Sequence, residues 1–256
     1  MSGTPSPRHA LVTGGGRGIG AAIARRLVAE GWHVTVLGRS AEAVQAVAAE
    51  DPEHLFAVSA DVADAEAVAA ALAEAQSRFG PVAALVNNAG QAESAPFHKM
   101  DMGLWQRMLA VNLTGTMVCS QAVLPGMLAA GWGRIVNVAS TAGQVGYAYV
   151  SAYCAAKHGV VGLTRSLALE LATKGITVNA VCPGYTETDI VRQSIERVVA
   201  KTGRSPEAAR AEFVKSNPQG RLVQPDEVAD AVAWLCGQGA GAVTGQSISV
   251  AGGEVM

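Results

Sequence analysis

The chain has 256 residues, of which 50% are apolar and only 16% are charged. This composition excludes a disordered chain, and the length allows a full core that needs neither disulfides nor a metal. With 19 basic and 21 acidic residues the net charge is −2, so the chain has no basic footprint for nucleic acid.

The N-terminal segment Met1–His9 has no apolar core like that of a signal peptide. The four cysteines form no CxxC pair and have no histidine at metal-ligand spacing. We therefore expect a cytoplasmic protein with free thiols and no metal site. The uncharged stretch Met108–Gly133 carries polar side chains along its length, so we interpret it as a buried helix and expect no membrane partner.

Short runs rich in β-branched residues alternate with longer alanine-rich segments along the whole chain. Seven runs, most of them continuously apolar, predict strands: His9–Thr13, His33–Leu37, Leu55–Ser59, Ala83–Val86, Arg134–Val138, Ile176–Val181 and Ser247–Val250. Apolar residues at helical spacing predict helices between them. The alternation predicts a single α/β domain over 1–256, with a doubly wound, Rossmann-like, seven-stranded parallel sheet and helices on both faces.

The first strand runs directly into a glycine-rich turn at Thr13–Gly20, and an amphipathic helix follows. Glycines allow a tight turn and a close approach to a pyrophosphate, and the helix N-terminus offers N–H groups to it. The spacing is Gly-xxx-Gly-x-Gly, which differs from the commoner GxGxxG. In this context the turn predicts a dinucleotide site.

The second strand is followed by Arg39, close to where an acidic residue would bind the 2′-hydroxyl of NAD. A guanidinium pairs with a 2′-phosphate instead, and Arg17 supplies a second positive charge. Together they predict a preference for NADP(H), with NAD(H) as the alternative. Asp61, after the third strand, is placed either to accept a hydrogen bond from an adenine amine or to cap the next helix.

Ser140, Tyr153 and Lys157 stand out by their positions. Tyr153 and Lys157 are four residues apart at the start of a predicted helix, which places both side chains on one face. A neighbouring ammonium lowers the pKa of a tyrosine from about 10, which suits the phenol for proton transfer. Ser140 follows a predicted strand, where its hydroxyl would hold a substrate oxygen for Tyr153 to protonate.

The connection from Thr188 to Pro225 is long and charged and predicts two helices, about Ile190–Lys201 and Pro206–Lys215. It follows the carboxyl end of a strand, where open α/β sheets bind ligands, so we interpret residues 188–219 as a substrate lid. Four acids offset part of its positive charge. Six basic residues would meet the phosphate of a CoA or carrier: Arg192, Arg197, Lys201, Arg204, Arg210 and Lys215.

Taken in order, these motifs resemble the short-chain dehydrogenase/reductase family from Ala10 to Gly253. The resemblance rests on TGGGRGIG at Thr13–Gly20, Asp61, NNAG at Asn87–Gly90, Asn112, Ser140, Tyr153-Cys-Ala-Ala-Lys157 and Pro183-Gly184.

The resemblance implies four catalytic residues. Tyr153 would be the general acid in reduction and the base in oxidation, and Lys157 would lower its pKa and bind the nicotinamide ribose. Ser140 would polarise the substrate carbonyl. Asn112 would hold a helix kink and a water that links Lys157 to solvent.

The resemblance also implies two sets of binding residues. The cofactor set is Gly14, Arg17, Gly18, Ile19, Gly20, Arg39, Asp61, Val62, Asn88, Ala89, Gly90, Tyr153, Lys157, Pro183, Gly184, Thr186 and Thr188, the two threonines holding the carboxamide. The substrate set is Ser140, Gln144, Tyr147 and Tyr153.

Two pairs of stretches are similar to ketoreductases of carrier-bound or CoA-linked 3-oxoacyl chains: Lys157–Thr164 with Gly175–Cys182, and Gly220–Pro225 with Ala242–Gln246. The similarity implies an NADPH-dependent carbonyl reductase that converts a 3-oxoacyl thioester into a secondary alcohol. One alternative is an NAD-dependent dehydrogenase that oxidises a 3-hydroxyacyl-CoA or a small or cyclic secondary alcohol. A more remote alternative is a nucleotide-sensing regulator without turnover.

The helices predicted around Met108–Leu128 and Ser151–Leu171 expose little polarity. This favours burial against another subunit, and the family is usually dimeric or tetrameric. We therefore expect a homo-oligomer.

Overall fold

Seven strands form one sheet in the order β3-β2-β1-β4-β5-β6-β7 in the computed structural model, which describes residues 8–256 apart from the side chain of Ile190. The strands are β1 His9–Thr13, β2 His33–Gly38, β3 Leu55–Ser59, β4 Val82–Asn87, β5 Gly133–Val138, β6 Ile176–Pro183 and β7 Ser247–Val250. All six neighbouring pairs are parallel. The predicted doubly wound parallel sheet is confirmed. Residues 1–7, within the segment expected to lack a signal peptide, lie outside the described residues.

Helices connect the strands and cover both faces of the sheet. They are α1 Gly18–Ala29, α2 Ala41–Ala48, α3 Ala65–Phe79, α4 Met102–Leu109, α5 Gly115–Ala130, α6 Ser151–Leu171, α7 Asp189–Thr202, α8 Pro206–Val214 and α9 Pro225–Cys236. The helices α7 and α8 occupy the long charged connection, where two helices are predicted.

The core has one large layer on each face of the sheet. On one face Ile23 and Leu27 of α1 are fully buried with Val232 of α9 against the central strands. On the other face Leu72 of α3 and Met127 of α5 pack in a second cluster. These layers enclose the strands on both sides, which explains why the strand sequences are continuously apolar.

The chain reverses its direction of travel across the sheet at β1, which pairs with β2 on one side and β4 on the other. Parallel strands all end at the same edge, and a crevice opens where the strand order reverses. The segments that follow β1, β4, β5 and β6 therefore meet at one edge of the sheet.

Side-chain caps fix where several helices begin. Asp64 accepts hydrogen bonds from the backbone N–H groups of Glu66 and Ala67 at the start of α3. Asp61 instead accepts from the N–H of Ala63 at 3.0 Å. Asp61 is therefore a turn residue before the helix, and the cap is supplied three residues later.

Met102–Ala130 forms one continuous helical stretch that is long and apolar enough, by length and composition, to cross a membrane. A core helix of a globular protein passes the same test. Asn112, Thr116 and Ser120 are buried within this stretch and hydrogen-bonded to its backbone. These polar side chains are satisfied within the core, but only 33% of the most apolar part of the stretch is buried, so the predicted buried helix is buried only in part within the single chain.

Candidate active site

A cleft of about 870 Å³ opens at the carboxyl edge of the sheet. It is lined by the glycine-rich turn after β1, the loop after β4, the residues after β5, the first turns of α6, and the segment from Pro183 to α8. Most of the residues predicted to bind cofactor or substrate line this one cleft.

The glycine-rich turn approaches its neighbours more closely than a side chain allows. Gly14 has φ +65°, and a Cβ there would lie 2.9 Å from the Ala89 Cα. A Cβ on Gly20 would lie 2.2 Å from the Gly14 carbonyl oxygen. Gly20 is buried and does not line the cleft. It instead allows the glycine-rich turn to pack closely on the first turn of α1.

The N-terminus of α1 faces the cleft, and no side chain in the described part of the chain caps its free N–H groups. Its N-cap residue, Arg17, makes no side-chain cap, and the first turn contains no acidic residue. The first N–H groups of the helix and its partial positive charge thus favour an anion, such as a pyrophosphate.

Thr13 joins the glycine-rich turn to the segment after β4. Its hydroxyl oxygen accepts from the backbone N–H groups of Asn88 and Ala89, each at 3.0 Å. The Asn88 amide returns hydrogen bonds to the carbonyls of Thr13 at 3.0 Å and Gly14 at 3.2 Å. Thr13 was not predicted as a site residue, although its position directly before the glycines was visible in the sequence.

The far end of the cleft, beyond β2, carries two guanidinium groups. Arg17 and Arg39 both line it, and the Arg39 side chain is 63% exposed. One Arg39 nitrogen lies 4.0 Å from an Asp61 carboxylate oxygen, a loose contact that leaves the guanidinium available. Val62 closes this end by packing against Gly115. The two positive charges fit a 2′-phosphate on the adenosine ribose.

Ser140, Tyr153 and Lys157 meet in the middle of the cleft. The Ser140 hydroxyl is hydrogen-bonded to the Tyr153 hydroxyl and accepts from the Ala142 N–H at 3.1 Å. The Lys157 ammonium donates to the Val138 carbonyl at 2.8 Å and lies 5.7 Å from the centre of the Tyr153 ring. The predicted spacing on α6 thus brings these three side chains together.

Burial controls the protonation of this group. It raises the pKa of Tyr153 to about 12, against the opposing effect of the Ser140 hydrogen bond. It lowers the pKa of Lys157 to about 8. The resemblance implied that Lys157 lowers the pKa of the tyrosine; in this structure the largest effect on that pKa is desolvation, which acts in the opposite direction. At neutral pH Tyr153 holds its proton and Lys157 its charge.

Asn112 lies at a kink between α4 and α5, where Ala110–Thr114 form a π-helical turn. Its amide nitrogen donates to the carbonyls of Met108 and Gln91, each at 2.9 Å, and its oxygen accepts from the Gln91 N–H at 3.2 Å. A Cβ on Gly90 would lie 2.9 Å from the Asn112 oxygen and 3.7 Å from the Lys157 nitrogen. The absence of a side chain at Gly90 thus leaves room for both Asn112 and Lys157 next to the backbone of the loop after β4.

The segment after β6 closes the cleft next to the catalytic group. Pro183, Gly184, Thr186 and Thr188 all line the cleft, as predicted from the resemblance. The Thr186 hydroxyl donates to the Gly184 carbonyl at 3.0 Å, and the Thr188 hydroxyl to the Thr186 carbonyl at 3.2 Å. The Thr188 side chain also faces Gly18, so this segment spans from the sheet to the glycine-rich turn.

The two further residues predicted to bind substrate have different locations. Tyr147 lines the cleft, but Gln144 does not. The Gln144 amide donates to the Ser247 carbonyl at 3.4 Å and accepts from the Ser249 hydroxyl at 3.0 Å. The structure therefore directs Gln144 to strand β7, because that strand offers it two polar partners.

Three further aromatic residues line the cleft: Tyr149, which like Tyr147 flanks the Ser140–Tyr153 loop in the sequence and was a candidate for the substrate pocket, and Tyr185 and Phe213, which were not predicted there. Tyr149 has φ 68°, and its carbonyl accepts from the Ala95 N–H at 2.8 Å, which joins the loops after β4 and β5. Tyr185 directly follows Pro183-Gly184, so its position could have been inferred from the sequence. Phe213 reaches the cleft from α8, and no local motif marks it.

The residues present fit a dinucleotide with a 2′-phosphate: an uncapped helix N-terminus, a turn too tight for side chains, and two guanidinium groups in one cleft. Among the described residues, no group of three or more His, Cys, Asp or Glu side chains is placed to hold a metal ion.

Residues 8–198 match the short chain dehydrogenase family. The chain is 44% identical to a cis-4-hydroxycyclohexanecarboxylate dehydrogenase of Sinomonas cyclohexanicum, over 96% of each chain. It is 41% identical to an acetoacetyl-CoA reductase of Rhizobium meliloti, over 96% of this chain and 98% of that protein. Its fold also matches a crystal structure of an actinorhodin polyketide ketoreductase with NADPH, with a TM-score of 0.93 and 43% identity over 97% of both chains. The chain therefore belongs to the short chain dehydrogenase family and is an NAD(P)-dependent oxidoreductase acting on CH–OH and C=O groups.

Proposed function

We propose that the protein uses NADPH to reduce the ketone of a 3-oxoacyl thioester, bound to CoA or to a carrier, to a secondary alcohol. The observation that carries this proposal is the meeting of Ser140, Tyr153 and Lys157 in a cleft whose far end holds Arg17 and Arg39. Similarity to an acetoacetyl-CoA reductase and to a polyketide ketoreductase with NADPH supports the substrate class and the cofactor.

The protein contributes an acid, a hydrogen-bond donor and a positive charge. When bound, the dinucleotide supplies a hydride to the carbonyl carbon. Tyr153, neutral at pH 7, donates its proton to the carbonyl oxygen, so that hydride and proton together yield the alcohol. The Ser140 hydroxyl donates a hydrogen bond to the same oxygen. The Lys157 ammonium stabilises the tyrosinate left behind until solvent returns a proton.

The cofactor set proposed from this geometry comprises the predicted residues that line the cleft. They are Gly14, Arg17, Gly18, Ile19, Arg39, Asp61, Val62, Asn88, Ala89, Gly90, Tyr153, Lys157, Pro183, Gly184, Thr186 and Thr188. Gly20 supports the turn from behind.

Helices α7 and α8 are proposed as the substrate lid predicted at residues 188–219. Two of their basic side chains are proposed to form an anion-binding subsite. Arg192 pairs with Asp189, Arg204 with Glu212 at 3.3 Å, and Arg210 with Glu187.

Arg197 and Lys201, in contrast, line the cleft, and no ion pair within 4.0 Å neutralises either among the described residues. Two unneutralised cations at the mouth of the cleft favour a substrate with a phosphate or carboxylate remote from its ketone. Such an anion is present in CoA and in a phosphopantetheine carrier.

An assay of NADPH and NADH oxidation with acetoacetyl-CoA, with its N-acetylcysteamine analogue and with cyclohexanone tests the function. We expect rapid turnover of acetoacetyl-CoA with NADPH, and no turnover by Tyr153→Phe, which should still bind NADPH. Changing both Arg197 and Lys201 to Gln should raise KM for acetoacetyl-CoA about tenfold, because two charge-assisted contacts are lost, and leave the uncharged analogue unaffected. Lys215→Gln, outside the cleft, is the matched control. Turnover of cyclohexanone alone would contradict the thioester proposal.

A second candidate is the oxidation of a cyclic secondary alcohol. It is favoured by the 44% identity to the cis-4-hydroxycyclohexanecarboxylate dehydrogenase, which is close to the 41% and 43% identities to the two reductases described above. A carboxylate on the ring, remote from the hydroxyl, would bind to the same anion-binding subsite. NAD⁺ reduction with 4-hydroxycyclohexanecarboxylate, faster than NADPH oxidation with acetoacetyl-CoA, would establish this candidate instead.

We further propose that the protein is a cytoplasmic homo-oligomer. The four cysteines are free and buried, in keeping with a reducing compartment. Only 33% of the most apolar stretch of Met102–Ala130 is buried within the chain, and on α6 the Leu169 side chain is 84% exposed. Apolar helix surface of this kind favours burial against a second copy.

A further inference from the structure

Three aromatic side chains from separate segments form one side of the cleft. Tyr147 lies in the loop between β5 and α6, Tyr185 follows β6, and Phe213 lies in α8. The Tyr185 ring meets both of the others edge-on, at 6.4 Å and 76° from Tyr147 and at 5.1 Å and 85° from Phe213. Edge-to-face contacts fix rings relative to one another. We call these three residues the aromatic wall.

The hydroxyl of Tyr147 is engaged by the protein. It lies 2.7 Å from a Glu254 carboxylate oxygen and 2.9 Å from the Thr141 hydroxyl. A carboxylate only accepts, so Tyr147 donates its proton to Glu254 and accepts from Thr141. Burial and the bond to Glu254 raise the pKa of Tyr147. Tyr147 therefore has no proton to offer a substrate carbonyl.

Glu254 reaches two further segments from the C-terminal end of the chain. The same carboxylate oxygen accepts from the Ser216 hydroxyl at 2.8 Å, just beyond α8. The other carboxylate oxygen lies so close to Gly184 that a Cβ on this glycine would be only 2.7 Å from it. One carboxylate thus connects the loop that carries Tyr147, the turn before Tyr185, and the end of the helix that carries Phe213.

We propose that Glu254 is a positioning residue: by holding Tyr147 and Ser216 it assembles the aromatic wall into an apolar subsite for the acyl chain or ring next to the reacting ketone. This inference rests on the proposed ketone reduction, whose chemistry Glu254 does not touch. Aromatic ring faces favour hydrocarbon over polar groups, and the proton of the Tyr147 hydroxyl is held by Glu254.

Steady-state kinetics with acetoacetyl-CoA and 3-oxohexanoyl-CoA test this role in Glu254→Ala, Glu254→Gln and Tyr147→Phe. We expect Glu254→Ala to raise KM for both ketones at least about tenfold, because the charge-assisted hydrogen bonds from Tyr147 and Ser216 are both lost, with kcat and the NADPH Kd nearly unchanged. Glu254→Gln keeps an acceptor and should restore most of the KM. Tyr147→Phe removes only the first of these bonds and should reproduce part of the effect, and the double variant should add nothing to Glu254→Ala, because that change already breaks the Tyr147 contact. Glu212→Gln, an acid on α8 outside the cleft, is the matched control.

An unchanged KM in Glu254→Ala, or additive effects in the double variant, would overturn the proposal and leave ketone reduction standing. A measurement that needs no activity separates the two ideas. In the substrate-free protein, hydrogen–deuterium exchange should become faster in the segments 144–150 and 209–217 when Glu254 is changed to Ala. The control Glu212→Gln should leave the Tm unchanged. If no ketone is reduced by the unaltered protein, the proposed function fails, and the exchange result alone decides whether Glu254 holds these segments. Unchanged exchange would overturn the positioning role.

Discussion

At the scale of single residues, burial sets the acid–base properties of the cleft. The pKa of Tyr153 rises to about 12 and that of Lys157 falls to about 8, both because the low-polarity surroundings disfavour the charged form. A neutral tyrosine beside an ammonium is the protonation state that reduction requires. It also makes Lys157 the group whose titration comes first as the pH rises.

The pH dependence of reduction should therefore follow Lys157. Below its pKa the side chain is charged, and as the pH rises through about 8 the charge is lost while Tyr153 keeps its proton. We expect kcat/KM, which reports groups of the free enzyme, to fall about tenfold per pH unit above that point. Lys157→Arg should abolish this limb, because a guanidinium stays protonated. A profile flat to pH 10 would contradict the prediction.

Cofactor preference is a second property of single residues. Arg39→Asp removes a cation from the proposed 2′-phosphate site and adds a carboxylate near Asp61, now 4.0 Å from the arginine. We expect the ratio of kcat/KM for NADPH over NADH to fall at least about 10-fold, equivalent to one charged hydrogen bond. Arg25→Gln, on a different surface and bonded to Glu50, serves as control. An unaltered ratio would show that Arg39 does not read the phosphate.

At the scale of elements, the π-helical turn at Ala110–Thr114 is the irregularity that shapes the site. A π-turn leaves backbone groups without their usual helical partners. The Asn112 amide occupies the Met108 carbonyl and joins the helix to Gln91 in the loop after β4. The π-helical turn therefore joins the helical stretch α4–α5 to the loop after β4, which lines the cofactor cleft.

Replacement of Asn112 tests this coupling. Asn112→Ala removes three hydrogen bonds of a fully buried side chain, two of them to the partly buried backbone of Gln91, so we expect a loss of about 2–4 kcal/mol in the free energy of unfolding. Turnover should also fall, because Gly90 and Lys157 lose a fixed neighbour. Urea unfolding and kcat measure the two effects. Gln106→Ala, exposed on α4, controls for helix propensity. Stability equal to that of the control would refute the structural role of Asn112.

At the scale of the whole molecule, α5 and α6 expose apolar side chains that no other part of the described chain covers. Leu169 of α6 is 84% exposed, and Met117 and Leu128 of α5 are 40% and 43% exposed. Full burial of an exposed side chain of this size contributes about 1.5–3 kcal/mol, so Leu169 would contribute most and the half-buried Met117 and Leu128 less. Helix α6 also carries Tyr153 and Lys157, so association would stabilise the site indirectly.

Light scattering coupled to gel filtration measures the proposed oligomer. We expect a mass of two or four chains for the unaltered protein and a smaller species for Leu169→Glu, since a buried unpaired carboxylate opposes association. Gln45→Glu adds the same charge on the exposed face of α2 and should not alter the mass. A monomer at all concentrations would contradict the proposed homo-oligomer.

Features that depend on neighbours in sequence could be predicted before the structure was known. The strands follow from apolar runs, and the glycine-rich turn, Arg39 and the Tyr153–Lys157 pair follow from local spacing. Gly20 and Gln144 show the limit of this approach. Both stand close to site residues in the chain, but Gly20 packs against Gly14 and Gln144 turns to β7, and neither lines the cleft.

The sequence alone thus determined the fold class and the central reacting groups, because periodicity and spacing of a few residues encode them. Only the tertiary structure decided which side chains form the walls of the cleft. Glu254 and Tyr147 are 107 positions apart and meet through a hydrogen bond of 2.7 Å. The pKa of Tyr153 is likewise decided by burial from several segments at once. Contacts between distant segments depend on how whole helices and strands pack, and no local pattern contains that information.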